Sequence, residues 1–330
     1  MTTEIRSLKI GTRSSALALA QAHMVQAELA AIGVQSELVT YTTVGDRRLD
    51  VALTAIGSKG LFTEELERDL RDGITDLCVH SLKDLPTDEP DGLRVVAQLP
   101  REDSRDALVV RDDVPGALLH ELPRGAIIGT SSLRRRAQLK AIRPDCTVVD
   151  LRGNVGTRLS KLDNGLCDAA ILAAAGLNRL GLSSRIRSLL SAPQWLSAAG
   201  QGAIAIQVRE ADTQVRDIVT MLNHQPTMDA TSCERAFLAA LDGGCQVPIG
   251  ALMTESAGGR RTLHGLVAGL DGTPMLRASA VMGSDLLESA RALAGELRDL
   301  VLARNRRRVK QGKEPLDVDA EVARQLSGVR

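Results

Sequence analysis

An α/β protein of two similar lobes with a smaller α+β domain behind them is predicted by three features of the chain. Strand-like apolar runs alternate with helix-like ones. The run Ile10-Gly11-Thr12-Arg13-Ser14-Ser15 is echoed at Ile128-Gly129-Thr130-Ser131-Ser132, each time between a strand-like and a helix-like stretch. A second echo sets Gly73-Ile74-Thr75-Asp76 before the apolar Leu77 to Val79, and Gly165-Leu166-Cys167-Asp168 before Ala169 to Ala175. Strands alternating with helices predict parallel sheets covered on both faces, with ligands bound where the carboxyl ends of the strands meet the next helices. Two such lobes would share one cleft.

In chain order, lobe 1 is expected over 1–102 and is completed by 203–222. The charged, apolar-poor stretch from Pro100 to Asp106 precedes Ala107-Leu108-Val109-Val110 and reads as a first crossing between lobes. Lobe 2 follows over 107–197, and a return crossing is placed near Ala198-Ala199-Gly200-Gln201-Gly202. After His224-Gln225-Pro226 the pattern changes. A helix-like stretch runs to Leu241, then come a cysteine loop and alternating strands punctuated by Gly258-Gly259 and Asp271-Gly272 turns. Ser284-Asp285 supplies short polar side chains suited to an N-cap, opening a long helix to about Ala303. The third domain is therefore set at 225–330. Its charged tail, 305–330, is expected to be peripheral, with a last helical turn or two over Val318 to Leu326.

The chain has 330 residues, 44% of them hydrophobic, which suits two or three globular domains. Its 41 basic and 41 acidic side chains cancel, which argues against a general polyanion binder. Tyr41, Phe62, Trp195 and Phe237 are all the aromatics, too few to stack single-stranded nucleic acid, so the core must be built from Leu, Val, Ile and Ala. Met1 to Ile10 holds no apolar leader, and no later run approaches the roughly 20 apolar residues that span a bilayer. A cytoplasmic protein, monomeric and without nucleic-acid or membrane partners, is the expectation. The five cysteines show no C-x-x-C pair and no nearby histidine spacing, which removes the usual zinc and dithiol readings and leaves no metal site to predict. Cys78, Cys146, Cys167 and Cys233 read as structural.

Cys245 is different. It lies in Leu241-Asp242-Gly243-Gly244-Cys245-Gln246-Val247-Pro248, where paired glycines strip side chains from its approach and a proline restricts the chain beyond it. Three turns elsewhere carry arginine where a strand-like run opens into a helix. In Gly129 to Arg136, hydroxyls can cap the helix while free backbone N–H groups and the forks of Arg134 and Arg135 face outward, an arrangement that captures anions. Leu151 to Arg158 repeats the device with Arg152 and Arg158, and Arg13 with Ser15 offers a third copy. A cation in the first turn opposes the helix dipole, so its recurrence at equivalent turns points to function. In Val79-His80-Ser81-Leu82-Lys83-Asp84-Leu85-Pro86 a strand runs out into a polar turn. A carboxylate fixed there among cations can hold an N–H donor and stabilise developing positive charge. His80 reads equally well as a satisfied core histidine. Together these features suggest a thiol that anchors something rich in carboxylates.

The residues resemble hydroxymethylbilane synthases, also called porphobilinogen deaminases, from Lys9 to about Ala303. The matching motifs, in order, are Gly-Thr-Arg-x-Ser at 11 to 15, Gly-Ser-Lys-Gly-Leu-Phe at 57 to 62, His-Ser-Leu-Lys-Asp-Leu-Pro at 80 to 86 and Gly-Thr-Ser-Ser-Leu-Arg-Arg at 129 to 135. Leu-Arg-Gly-Asn-Val-Gly-Thr-Arg-Leu-Ser-Lys-Leu-Asp at 151 to 163, Ala-Gly-Leu-Asn-Arg-Leu-Gly at 175 to 181, Gly-Gln-Gly-Ala at 200 to 203 and Gly-Gly-Cys-Gln-Val-Pro-Ile-Gly at 243 to 250 complete the set.

The resemblance implies two periplasmic-binding-protein-like (type II) lobes with a hinge, plus a small C-terminal domain holding the cofactor cysteine. It implies that Cys245 carries a dipyrromethane through a thioether, and that four porphobilinogen units are added to its free end before hydrolysis releases linear hydroxymethylbilane. Asp84 would be the catalytic aspartate, stabilising the cation left by loss of ammonia. Lys83, Asp84, Ser132, Arg134, Arg135, Arg158 and Ser15 would hold the cofactor. Arg13, Ser15, Arg152, Arg158, Arg179, Gln201, Lys59 and Phe62 would bind substrate. The family often has a lysine where this chain has Ala55. The rival reading is a non-catalytic two-lobed carboxylate-binding protein, which explains the arginine turns but neither Cys245 nor Asp84.

Overall fold

The computed structural model describes residues 7–43, 63–241 and 248–310. Lobe 1 comprises β1 (Leu8–Arg13), α1 (Ala16–Ala31), β2 (Ser36–Tyr41), α2 (Glu64–Arg71), β3 (Leu77–Ser81) and β4 (Leu93–Gln98). The chain then crosses to lobe 2, built from β5 (Asp106–Val110), β6 (Ile127–Gly129), α3 (Leu133–Ile142), β7 (Thr147–Val149), α4 (Val155–Asp163), β8 (Ala169–Ala173), α5 (Ala174–Arg179) and β9 (Ser188–Leu190). It returns as β10 (Ile204–Arg209) and α6 (Thr213–Thr220).

The two sheets have the same plan, β2-β1-β3-β10-β4 and β7-β6-β8-β5-β9. β1 runs parallel to β2 and β3, as β6 does to β7 and β8. The expectation of wholly parallel sheets fails at one strand in each. β10 is antiparallel to β3 and β4, and β5 is antiparallel to β8 and β9. The reason lies in the crossings. Each of these strands arrives directly from the other lobe, with no helix to carry it back, and so enters its sheet where the parallel strands end; Asp106 is registered opposite Ala173, and Ile204 opposite Ser81.

The repeat extends to side chains. Asp76 Oδ2 accepts the Lys9 N–H and Asp168 Oδ2 the Ile127 N–H, both at 2.8 Å. Arg209 pairs with Asp76 and Asp212, while Arg111 pairs with Asp168 and Asp113. The echoed glycines are close approaches: a Cβ on Gly11 would lie 2.8 Å from Cys78 Sγ, and one on Gly129 would lie 2.8 Å from Cys167 Sγ. Around each sheet the core is aliphatic, with Ile10, Val79 and Ile206 in one lobe and Leu108, Ile128 and Ile171 in the other. Cys78, Cys146, Cys167 and Cys233 are free and buried. Burial pushes the thiols of Cys78 to about 12 and of Cys167 and Cys233 to about 11, which makes them inert.

The third unit packs α7 (Gln225–Ala240) and α8 (Leu286–Lys310) on an antiparallel sheet of β11 (Ile249–Glu255), β12 (Arg261–Ala268) and β13 (Met275–Val281). Pro226 sits in the first turn of α7, where its missing N–H costs nothing, and Phe237 on the same helix is fully buried against the sheet. Asp285 caps α8 as expected, its Oδ1 accepting the Glu288 N–H at 2.9 Å. The helix continues past Ala303 to Lys310. Arginine and lysine are good helix formers and favour the negative end of the dipole, so the charged run prolongs the helix rather than ending it. Among the described residues, no helix is long and apolar enough to cross a membrane.

Candidate active site

The parallel strands of both sheets end at one cleft. β1 delivers Arg13 and, at the cap of α1, Ser15, whose Oγ accepts the Ala18 N–H at 3.4 Å. β3 runs into a short 3-10 turn over Leu82–Asp84. Leu82 and Leu85 are buried and pin this turn, and Leu85 takes the extended conformation that a following proline imposes. Lys83 and Asp84, between them, are half-buried. From lobe 2, Ser132 caps α3 by accepting the Arg135 N–H at 3.4 Å, and Asn154 caps α4 by accepting the Thr157 N–H at 2.8 Å. Arg152 precedes that second cap and Arg158 follows it.

These groups feel one another across the cleft. Burial pulls the Lys83 ammonium down to about 8; Asp84 and Asp106 oppose that pull, while Arg135 and Arg134 reinforce it. Burial likewise lowers Arg158 to about 10, with Arg135 and Arg152 pushing the same way and Asp84 against, so it stays charged at neutral pH. The structure thus brings together Lys83, Asp84, Arg134, Arg135, Arg152 and Arg158. The charge of Arg13 is felt by His80. That imidazole is a buried core group, bonded through Nε2 to Gln207 Oε1 at 3.2 Å, and burial holds it at about 4, where it is neutral and a poor base. Arg179 reaches the return crossing, its Nη2 donating to the Gly202 carbonyl at 2.6 Å.

Arg134 and Arg135 do not simply face outward. Both turn back to Asp106, at 2.8 and 2.7 Å. Arg134 Nη1 also donates to the Leu196 carbonyl at 2.5 Å and Arg135 Nη1 to the Ile171 carbonyl at 2.9 Å. Trp195 Nε1 and the Gln201 amide complete the shell of Asp106 at 2.7 and 2.8 Å, and Gln201 Oε1 in turn accepts from Lys83 Nζ at 3.2 Å. Burial alone would raise Asp106, but the two arginines more than reverse this and hold it far below the usual carboxylate range. The physical reason for the inward turn is that a fully buried carboxylate needs cations and donors around it. Arg135 Nε and Arg179 Nε remain buried without a hydrogen-bond partner among the described residues. Arg158 Nε donates to the Gly153 carbonyl at 2.7 Å. A cleft with this surplus of donors fits a polycarboxylate.

The lowered ammonium of Lys83 has a measurable consequence. The folded chain releases this proton from about 8, whereas the unfolded chain keeps it to about 10.5. Between those values the unfolded state binds more protons, so the cost of the buried charge is relieved as pH rises. In a Cys245→Ser background, the stability gap between wild-type Lys83 and Lys83→Met, read as a urea midpoint, is expected to shift in favour of lysine from pH 7 to pH 10. A gap that does not move would show that the ammonium stays charged throughout.

The junction behind the cleft was not foreseen. Glu234 on α7 is fully buried and takes both arms of Arg101, at 2.7 and 2.9 Å, together with the N–H groups of Gly200 at 2.8 Å and Met253 at 2.9 Å. One carboxylate therefore ties the two crossings to the third domain. The return crossing depends on glycine: Gly200 and Gly202 have φ of 72° and 89°, and a Cβ on either would strike Leu82 or the Glu102 carbonyl. The available signals were acidic residues in apolar company. Asp106 opens an apolar strand, and Glu234 lies on the same helical stripe as Cys233 and Phe237. Cys245, Lys59, Phe62 and Ala55 lie outside the described residues.

The family described as "Porphobilinogen deaminase, dipyromethane cofactor binding domain" matches residues 8–217, and "Porphobilinogen deaminase, C-terminal domain" matches 229–302. A porphobilinogen deaminase of Gloeobacter violaceus is 50% identical over 297 residues, covering 89% of this chain and 90% of the relative. One of Synechococcus elongatus is 51% identical over 274 residues, covering 82% and 85%. Among solved structures, the periplasmic VFT2 domain of BvgS from Bordetella pertussis aligns with a TM-score of 0.39 at 18% identity, over 66% of this chain and 86% of that one, a likeness too slight to carry argument. On the matches to both domains and to relatives of nearly full length, the chain belongs to the porphobilinogen deaminase family.

Proposed function

We infer that the chain is a hydroxymethylbilane synthase. It joins four porphobilinogen units head to tail on an enzyme-bound dipyrromethane, releasing ammonia at each addition, and frees linear hydroxymethylbilane by hydrolysis. The observation that carries this reading is the match of residues 8–217 to the dipyrromethane-binding domain of the deaminases. The rival, a non-catalytic carboxylate clamp, gains nothing from it.

The residues present suit the cofactor. Each pyrrole unit bears an acetate and a propionate, and the cleft has buried guanidinium N–H groups of Arg135 and Arg179 without partners among the described residues. We assign Lys83, Asp84, Ser132, Arg134, Arg135, Arg158 and Ser15 to holding the dipyrromethane, with Cys245 as its covalent anchor. Bound there, it supplies the free pyrrole carbon to which units are added. Arg13, Ser15, Arg152, Arg158, Arg179 and Gln201 are assigned to the carboxylates of incoming porphobilinogen, together with Lys59 and Phe62. Arg134 acts from behind the cleft, since Asp106 holds its guanidinium. Asp84 is assigned to the chemistry. As the carbon–nitrogen bond of porphobilinogen breaks and ammonia leaves, its carboxylate stabilises the positive charge that develops on the substrate and accepts a pyrrole N–H. A proton leaves the attacking pyrrole carbon once the new carbon–carbon bond has formed, and we assign its removal to Asp84.

The division into 1–102 with 203–222, 107–197 and 225–330 is supported by which strands each sheet draws together. A cytoplasmic monomer is the reading we adopt from the resemblance. The test is the intact mass of the wild-type protein beside Cys245→Ser, before and after porphobilinogen. Excess mass of two linked pyrroles on the wild type alone, growing in single-pyrrole steps, is expected. A bare polypeptide mass that substrate never changes would overturn the reading.

A further inference from the structure

We propose that Arg235, on α7 of the third domain, is a positioning residue for Asp84, fastening the backbone just beyond the catalytic turn. The proposal rests on the deaminase reading above. Arg235 Nη1 donates to the Leu85 carbonyl at 3.2 Å, and Nη2 donates to the carbonyls of Pro86 at 2.5 Å and Thr87 at 3.3 Å. One planar guanidinium thus collects three successive carbonyls immediately after Asp84. A rigid fork restrains a chain in this way far better than a flexible ammonium would.

The turn is gripped from two sides. On its near side the Leu82 N–H donates to the Ala203 carbonyl at 3.0 Å, and Leu82 is packed so closely beneath Gly200 that a Cβ there would lie 2.9 Å from its side chain. On its far side, beyond Asp84, Leu85 closes the turn on Leu82 at 3.1 Å and Arg235 takes the carbonyls that follow. The neighbouring residue explains why α7 can serve as a fixed post. Glu234 binds the first crossing through Arg101 and the return crossing through Gly200, so the helix that bears Arg235 is registered against both crossings. Adjacent side chains on one helix therefore hold the two crossings and the turn bearing Asp84 together. Because Asp84 makes no hydrogen bond among the described residues, the backbone on either side of it sets where its carboxylate points.

Displacing a reacting group by about 1 Å costs on the order of 10²-fold in rate. In the full-length holoenzyme, Arg235→Gln is expected to lower kcat by roughly 10- to 100-fold while KM stays within about threefold, the pattern of a lost transition-state interaction. Covalent dipyrromethane, read by intact mass, should be retained. Arg235→Lys should recover only part of the loss, because it keeps the charge without the fork. The decisive measurement is the double variant with Asp84→Asn, followed as single additions of pyrrole. If Arg235 acts through Asp84, adding Arg235→Gln or Arg235→Lys to Asp84→Asn changes the residual rate by no more than about twofold. A wild-type kcat in folded Arg235→Gln holoenzyme overturns the proposal, and so does a full multiplicative loss in the double variant. Should Arg235→Gln fail to fold, the same cycle with Arg235→Lys decides. A wild-type protein that never grows by pyrrole steps overturns the deaminase reading itself, and that failure is visible before any variant is made.

Discussion

Replacing Asp84 by Asn slows pyrrole addition by at least ~10²- to 10³-fold, the range seen when a preorganised electrostatic group is lost from an active site. The substitution keeps the shape of the side chain and deletes its charge, so it isolates the proposed stabilisation of the cation left when ammonia departs. Position makes this carboxylate the one to test. Asp106 is also near the cleft, but four donors from Arg134, Arg135, Trp195 and Gln201 consume it. Asp84 is half-buried, lies within the field of Lys83 and Arg158, and makes no hydrogen bond among the described residues. Loss of any one cleft arginine should cost less, because the remaining cations share the work of binding carboxylates. Single-turnover addition followed by intact mass is the measurement. An Asn variant within tenfold of wild type would remove Asp84 from the chemistry.

Asp106→Ala destabilises the protein by roughly 3–5 kcal/mol, the range for removing one partner of a buried ion pair. Two guanidinium groups, both nearly inaccessible to solvent, would lose their counter-charge at once. Asp106→Asn should lie between the variant and the wild type, since an amide still accepts one or two of the four donors. The sign of the pH dependence is fixed as well. The folded carboxyl lies far below its ordinary 3.8, so its contribution is fully present above that value and is lost as the solution becomes more acid. Urea unfolding gives the free energy, and Trp195, the chain's single tryptophan, reports directly because its indole N–H binds Asp106. A midpoint within about 0.5 kcal/mol of wild type, the usual scatter of surface substitutions, would show that the junction is not held by this carboxylate.

Much of the fold was legible because the signals were local. Gly11 and Gly129 recur in the sequence since each must let a sulfur atom approach the strand, and Ser15, Ser132 and Asn154 announce helix starts by capping them. The junction was illegible for the opposite reason. Asp106 meets Arg134 and Trp195 across 28 and 89 residues, and Arg101 meets Glu234 across 133, separations at which composition carries no register. The antiparallel strands were missed on the same ground, because strand direction depends on where a crossing enters the sheet. The expectation of cations around Lys83 and Asp84 came from local motifs, and the structure sets these charges within reach of one another, while the inward turn of Arg134 and Arg135 depended on a carboxylate that sequence alone left in a charged linker.

The strand exchange between lobes has a consequence for synthesis on the ribosome. β5 to β9 are contiguous, so the second lobe can complete its sheet once Leu190 has emerged. β4 hydrogen-bonds only to β10 within its sheet, and β10 is not made until residues 204–209. Until then the apolar Leu93 and Ala97 of β4 have no neighbouring strand in their sheet, an open edge of the kind that invites mispairing. Domains generally fold in the order in which they are made. Here the order is inverted: the lobe translated first is finished last, and the nascent chain carries an exposed edge through the whole translation of its neighbour.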